Sequence, residues 1–595
     1  MVKGKNTILL IATAIIIILA AASVQAAVTE VVSNSADWRD VYSTVIYGNL
    51  LQVSNHFLTS TPHGPILLFE IPKTNEGIQI ITSADKPFYI GYESLFRSKG
   101  YQNVEELIFN SANLELAKRL PNINKFILLD DAYGYNALAV GPYAVKAGYY
   151  VIFANSRNSP EIADFLATKN IESIIIYGRV DREVRAAVSQ YNPEILNSES
   201  GSRFENNMLI VDKYSELGSI KQVILSNGEF IEASMLSGKE PVLFIGKTNV
   251  PEEIKGYIQE RGIEIGVLIG NELIGSATDI RRQLGISVFV KFARGSRIPG
   301  GTINPVEDLD RFPMPSYQLS LSITSISYNR ATGVLEVTYK NNVDLATYFR
   351  STITVKNENG ETIVTDGDND TIFIDGGETK TVLYGRIKDV DAQKIIGELT
   401  GEVYTIYGES KTSLENVLRG TFKIEIIDVF DNAQIEIEGL VYDKSKGTFY
   451  VKIKNTGIVD TYVNAELIEL WINGEYATVG SDDAVKIEPG KTKEIPIKIA
   501  MSEEDLADMK NSEITVRTNY GERMRALTKT KEKKFALEFR QGAGNYTVIL
   551  VVLVIIIILL IIFFKRGKKC PRCRKMNSRR AKHCRKCGYP FNDHQ

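Results

Sequence analysis

The chain has 595 residues, of which 44% are hydrophobic and 24% charged, with a formal balance of −3. That length excludes a single core and calls for roughly three to five folded units, while so ordinary a composition excludes disorder over most of the chain. The four cysteines all lie after position 564, which excludes a disulfide framework for the remainder.

Lys3 and Lys5 precede an unbroken small or apolar run from Thr7 to Ala22, and Val24 and Ala26 suit the positions before a cut. Residues 1–26 therefore read as a secretory signal, and 27–39 as the start of the mature chain. From about Asp40 to Gly300, short β-branched runs alternate with helical stretches, as in FILLDDAYG from Phe126, YYVIFAN from Tyr149 and SIIIYGRV from Ser173. This is the pattern of a Rossmann-like parallel sheet whose strands are covered on both faces.

The pattern repeats. GPILLFEIP from Gly64, YYVIFANSR from Tyr149 and PVLFIGKTN from Pro241 each follow another strand and a small-residue stretch, and taking Ile66, Val151 and Val242 as equivalent spaces them by 85 and 91 residues. Three α/β units follow, over 40–120, 121–205 and 206–294. Their element order, and the phrase ILLDDAYGYNALAVGPYAVKAGYYVIFA from Ile127 to Ala154, resemble the type 2 cell-wall-binding repeat family. The resemblance covers roughly residues 40–292. It implies tandem repeats that attach a surface protein to envelope polymer.

Two motifs here invite a catalytic reading. Gly246-Lys247-Thr248 looks like the end of a phosphate loop, but the glycine required five positions earlier is Pro241. Asp130 and Asp131 sit at a strand end, where α/β folds place ligands, and adjacent carboxylates there also serve as turn caps.

A Pro- and Gly-bearing linker over 295–316 precedes alternating patterns such as GVLEVTYKN from Gly333 and GTFYVKIKN from Gly447. Gly333, Gly377 and Gly408 match Gly447, Gly490 and Gly521 at offsets of 114, 113 and 113, a duplication read as two antiparallel β-sandwiches over 317–430 and 431–540. KNTG and EPGKTKEI resemble cell-adhesion-related, immunoglobulin-like (CARDB-like) domains, which implies a stalk or adhesive role. Asp366, Asp368 and Asp370 suggest calcium, but position 377 is Gly where an EF-hand has Glu, so a polar hairpin loop is the reading. Asn369-Asp370-Thr371 on that loop is an N-glycosylation sequon.

Tyr546 to Phe564 is uncharged and as a helix would reach roughly 28 Å, one bilayer core. Lys565, Arg566, Lys568 and Lys569 follow it, so the positive-inside rule places the C-terminus in the cytoplasm and predicts a single-pass type I membrane protein. The last 31 residues carry twelve Lys and Arg against one Asp, and the stretch between signal and tail holds 55 basic and 71 acidic side chains. The tail then favours anionic lipid headgroups, and the acidic exterior disfavours nucleic acid. In that tail Cys570, Cys573, Cys584 and Cys587 follow C-x2-C-x10-C-x2-C spacing, two knuckles able to complete a structural Zn2+ tetrahedron, with His583 a neighbour rather than a ligand. The phrase resembles a short zinc ribbon.

The sequence thus predicts a multidomain chain: an α/β Rossmann-like repeat block, two antiparallel β-sandwiches, one transmembrane helix and a zinc ribbon. No G-x-S-x-G or H-E-x-x-H occurs, and His56 and His63 are the only histidines before the tail, so the reading is non-enzymatic. The first function expected is attachment or adhesion through the α/β repeats, to envelope polymer, a surface-layer protein or another cell, with the lipid bilayer as the second partner. A transmembrane receptor signalling through the zinc tail, and a carboxylate-based surface hydrolase, are the alternatives.

Overall fold

The computed structural model describes residues 28–73, 77–292, 309–390, 395, 397–509, 512–540, 554–559 and 567–591. The expected signal, 1–26, lies outside them.

β1 (Val28–Asn34), β2 (Ser54–Phe57), β3 (Gly77–Ser83) and β4 (Val104–Phe109) form a parallel sheet in the order β2-β1-β3-β4. β5 (Lys125–Leu129), β6 (Tyr150–Phe153), β7 (Ser173–Tyr177) and β8 (Glu194–Leu196) repeat it as β6-β5-β7-β8. In the third unit β9 (Gln222–Ser226), β11 (Val242–Phe244), β12 (Ile265–Ile269) and β13 (Ser287–Lys291) form β11-β9-β12-β13, while β10 (Phe230–Ile231) stands apart and pairs antiparallel with β14 (Phe312–Pro313). Strands such as β6, buried at every position, are covered on both faces, which is why their sequences run apolar without alternation.

The equivalence of Ile66 with Val151 and Val242 does not hold. Val151 and Val242 lie in β6 and β11, each beside the first strand of its sheet, and the strand in that place in the first unit is β2. Ile66 instead lies in a short helix, His63–Leu67. There the Gly64 carbonyl accepts the Tyr92 hydroxyl at 2.9 Å and His63 Nδ1 accepts the Thr59 amide at 3.2 Å, holding the chain turned where its apolar content suggests a strand.

The three units share one hydrophobic core that runs from Val31 to Met314. At its centre the helices Trp38–Leu51 and Tyr135–Ala147 meet the turn Ala233–Leu236, which stands where the other units have that helix. Gly141 lets this contact close, since a Cβ there would stand 2.3 Å from Leu236 Cδ2, and the Asn49 side chain donates to the Leu236 carbonyl at 2.7 Å. Of the expected linker, 295–308 lies outside the described residues. Its end belongs to the body, with Arg311, Phe312 and Met314 buried.

The next unit contains β15 (Leu321–Asn329), β16 (Val334–Asn341), β17 (Thr347–Lys356), β18 (Thr362–Gly367), β19 (Ile372–Ile374), β20 (Thr379–Tyr384), β21 (Leu399–Gly408) and β22 (Asn416–Ile427). They make one curled sheet ordered β18-β17-β21-β22-β15-β16-β20, with β19 beside β17. This corrects the expected antiparallel sandwich over 317–430. The twelve-residue β22 pairs antiparallel with β21 along most of its length and then parallel with β15 over 425–427, so it carries the sheet around the corner that would separate two layers. In the last β unit two sheets remain separate: Ile435–Asp443, Thr448–Asn455 and Thr492–Lys498 in one, and Thr461–Ile472, Glu475–Gly480, Val485–Ile487, Glu513–Gly521 and Lys529–Ala536 in the other, around a single apolar cluster. A short helix, Glu503–Asp508, is fixed by a capping box between Ser502 and Asp505.

The fold expected from the sequence needs a further correction. Among the described residues no helix is long and apolar enough to cross a membrane. Of the predicted span over 546–564, residues 554–559 are helical and the others lie outside the described residues. The predicted single-pass type I localisation, which assigned the C-terminus to the cytoplasm, rested on that helix and is withdrawn with it.

Candidate functional site: a four-cysteine centre and a strand-end cleft

Cys570, Cys573, Cys584 and Cys587 bring their Sγ atoms within 4.8 Å of one another. Two knuckles built alike position them. The Cys570 amide donates to the Lys575 carbonyl at 3.0 Å and the Arg574 amide to the Cys570 carbonyl at 2.8 Å; fourteen residues on, Cys584 donates to Tyr589 at 2.8 Å and Gly588 to Cys584 at 2.9 Å. The residue after each cysteine pair is left-handed, Arg574 at φ 56° and Gly588 at φ 70°. Glycine accepts that conformation freely, whereas arginine pays roughly 1–2 kcal/mol for it. Asn577 joins the knuckles, its Oδ1 accepting the Arg585 amide at 2.9 Å and its amide lying 3.5 Å from Cys584 Sγ.

The donor chemistry fits a metal ion. Sγ separations of 3.5 Å for Cys570–Cys587 and Cys573–Cys584 are too long for a disulfide of about 2.05 Å and close to the edge of a tetrahedron with bonds of about 2.3 Å. The Lys586 amide, directed at Cys584, lowers that thiol, whereas at Cys587 the Tyr589 amide is outweighed by burial and the three neighbouring sulfurs, which push the thiol up, so the four sulfurs crowd protons together. Cys570 and Cys584 are buried, the other two half-buried. His583 is exposed and outside the cluster.

A second feature is a cleft of about 990 Å³ at the C-terminal ends of β5 and β7. The loop after β5 contributes Asp130, Tyr133 and Tyr135, and the loop after β7 contributes Arg179, Asp181 and Arg182. The facing wall comes from the last β unit, through Asn473, Glu475, Ser502 and Asp505. Across the mouth, Arg182 pairs with Asp505 at 2.5 Å and Arg179 with Glu475 at 3.9 Å. Tyr133, 41% exposed, and Tyr135 each meet the Tyr317 ring edge-on, at 5.2 and 5.3 Å. Asp130 caps its own turn by accepting the Ala132 amide at 2.8 Å; burial, with Asp131 and Asp181 nearby, raises its carboxyl above the usual range.

No protein-family model and no curated protein matches the chain. Among solved structures, Cwp6 from Clostridium difficile overlaps 45% of this chain and 42% of its own length at 14% identity, with a TM-score of 0.34. Red sea bream transglutaminase overlaps 38% of this chain and 32% of its own at 9% identity and a TM-score of 0.14, and the periplasmic chaperone SfaE 38% and 100% at 12% identity and 0.13. The chain spans less than half the length of Cwp6, and these scores define no shared overall fold.

Other residues singled out in the sequence have structural partners. Asp131 pairs with Arg39 at 2.7 Å. The Gly246-Lys247-Thr248 turn docks on the start of β22: Thr248 Oγ1 accepts the Val417 amide at 3.0 Å, the Asn249 amide donates to the Glu415 carbonyl at 3.2 Å, and Lys247 pairs with Glu229 at 2.8 Å. Asp366 accepts the Arg386 amide at 2.9 Å and Asp368 the Ser351 amide at 2.8 Å, so two of the three carboxylates of the suspected calcium loop are spent internally, and Asp370 is exposed. Asn369 is exposed. His56 pairs with Glu30 at 3.0 Å.

What sequence reasoning missed is Arg203, which lies beneath the cleft. Its guanidinium stands 4.4 and 4.9 Å from the ring centroids of Tyr135 and Tyr317 and pairs with Glu415 at 3.3 Å and Glu409 at 3.6 Å. Its backbone amide also donates to Glu409 at 2.8 Å. Both glutamates come from the curled sheet unit, so this knot joins that unit to the α/β body. Partners 206 and 212 residues away leave no local signal. One guanidinium serves two buried carboxylates, and burial, opposed by Arg203 and reinforced by Glu409, pushes Glu415 up to about 8. A carboxyl raised on docking binds a proton that the separated units release. Docking is therefore strongest below the ordinary glutamate range and weakens as pH rises towards 8, by on the order of 1 kcal/mol per pH unit. Urea titrations between pH 5.5 and 8 should show the units separating at lower denaturant as pH rises, with Glu415→Gln flattening the trend. A trend of opposite sign would refute the shared proton.

Proposed function

We propose that this is a surface-associated binding protein whose α/β body attaches to envelope polymer, with the two β units as its stalk. The observation that carries the reading is the open cleft at the strand ends of the second α/β unit, the place where open α/β sheets take ligands. The resemblance of Ile127–Ala154 to cell-wall-binding repeats supports it independently, since that phrase supplies β5, β6 and the Tyr135–Ala147 helix between them. The full chain, immobilised and offered isolated envelope polysaccharide and surface-protein fractions, should retain polysaccharide. Retention of neither fraction sinks the attachment reading.

The four-cysteine centre, in this reading, holds Zn2+ as a structural ion. Four thiolates complete its coordination and leave no open position for catalysis, and the small apolar content of the ribbon makes the metal the main source of its folding free energy. The purified chain should carry one zinc, and a chelator should release the amide protons of residues 567–591 to exchange while the melting of the β units stays unchanged. Cys584→Ser should lose the metal, whereas Arg574→Gly, which removes the left-handed strain, should hold it at least as tightly. Stoichiometric iron in place of zinc, or a ribbon indifferent to chelation, would contradict the assignment.

A further inference from the structure

In sheets of order 2-1-3-4 the loops after the first and third strands depart to opposite faces and leave a crevice between them. The described residues form three such crevices, and they differ. In the first unit the loops after β1 and β3 close on each other: the Ala36 amide donates to the Lys86 carbonyl at 2.8 Å, and Asn34 exchanges hydrogen bonds with the Tyr89 backbone at 2.8 and 2.9 Å. In the third, residues 311–314 fill the crevice. Arg311 lies 3.9 Å from the Phe230 ring and pairs with Glu272 at 2.6 Å, and the Met314 amide donates to the Glu229 carbonyl at 2.9 Å. Among the described residues, the crevice between β5 and β7 is the one left open.

Its lining selects a chemical class. Acids outnumber arginines five to three, and the arginines are engaged: Arg203 by Glu409 and Glu415, Arg182 by Asp505 and Arg179 by Glu475. An anionic ligand would meet paired cations and surplus negative charge. What the cleft offers is a half-exposed ring, Tyr133, supported edge-on by Tyr317, with the amide side chains of Asn136 and Asn473 in the same lining; Asn473 Oδ1 is shielded from solvent and has no hydrogen-bond partner, whereas the buried Asn206 amide is already paired with Ser198 and Asn197. An aromatic face flanked by mixed donors and acceptors suits a ring with C–H faces and equatorial hydroxyls.

We propose that the open crevice of the second unit binds an uncharged saccharide segment, stacked on Tyr133. This rests on the attachment reading and names the ligand class for it. In affinity electrophoresis the full chain should be retarded by at least one of β-glucan, mannan and galactan, and not by polygalacturonate. Tyr133→Ala should weaken the retarding interaction about tenfold, and Tyr133→Phe, which keeps the ring, should stay within about threefold. The side chain is exposed enough that near-UV spectra should show both variants folded. Retardation by polygalacturonate alone, by none of the neutral glycans, or undiminished in Tyr133→Ala overturns the proposal. If envelope material is still retained in any of those cases, the attachment reading survives without it.

Discussion

A single buried guanidinium ties the architecture together. Arg203 is held on one side by tyrosines of the α/β body and on the other by two glutamates of the curled sheet unit, so the charge that pins the units is also the floor of the cleft. Removing the arginine would leave Glu409 and Glu415 buried with no positive partner, a much larger penalty than losing a surface pair. The protonation of Glu415 follows from the same shortage of positive charge.

Around that knot the α/β units act as one body. Their central elements interlock through Gly141 and Leu236, and one apolar cluster runs through all three, with a second cluster confined to the first unit. The third unit, whose central helix is reduced to the turn Ala233–Leu236, takes residues 311–314 onto its strand ends. Chain that a sequence reader assigns to a linker is thereby spent on closing a crevice. The last β unit leans on the second α/β unit instead, through Arg182–Asp505 and the Asn197–Glu475 hydrogen bond at 2.8 Å, and so walls the open crevice without filling it.

The legible features were those written in local spacing. Buried strands such as β5 and β7 announced themselves as apolar runs, and the paired C-x2-C spacing brought four sulfurs together. β2 was missed because it is a polar edge strand, SNHF, while the apolar PILL run beside it turned into a helix. The curl of the first β unit depends on how far β22 extends, which alternation does not encode. The apolar run near the C-terminus satisfied a length rule, but the described residues contain no helix that crosses a membrane. The cleft itself is made by residues from three units, from Asp130 to Asp505, and only the fold brings them to one place.

The most direct test of this arrangement is hydrogen exchange of the full chain with and without isolated envelope polysaccharide. Binding at the open crevice predicts new protection in the backbone of residues 131–136, 179–183 and 473–475, with the corresponding loops of the first and third units unchanged. Protection confined to those other units, or spread over the β stalk while the loops after β5 and β7 exchange as before, would contradict it.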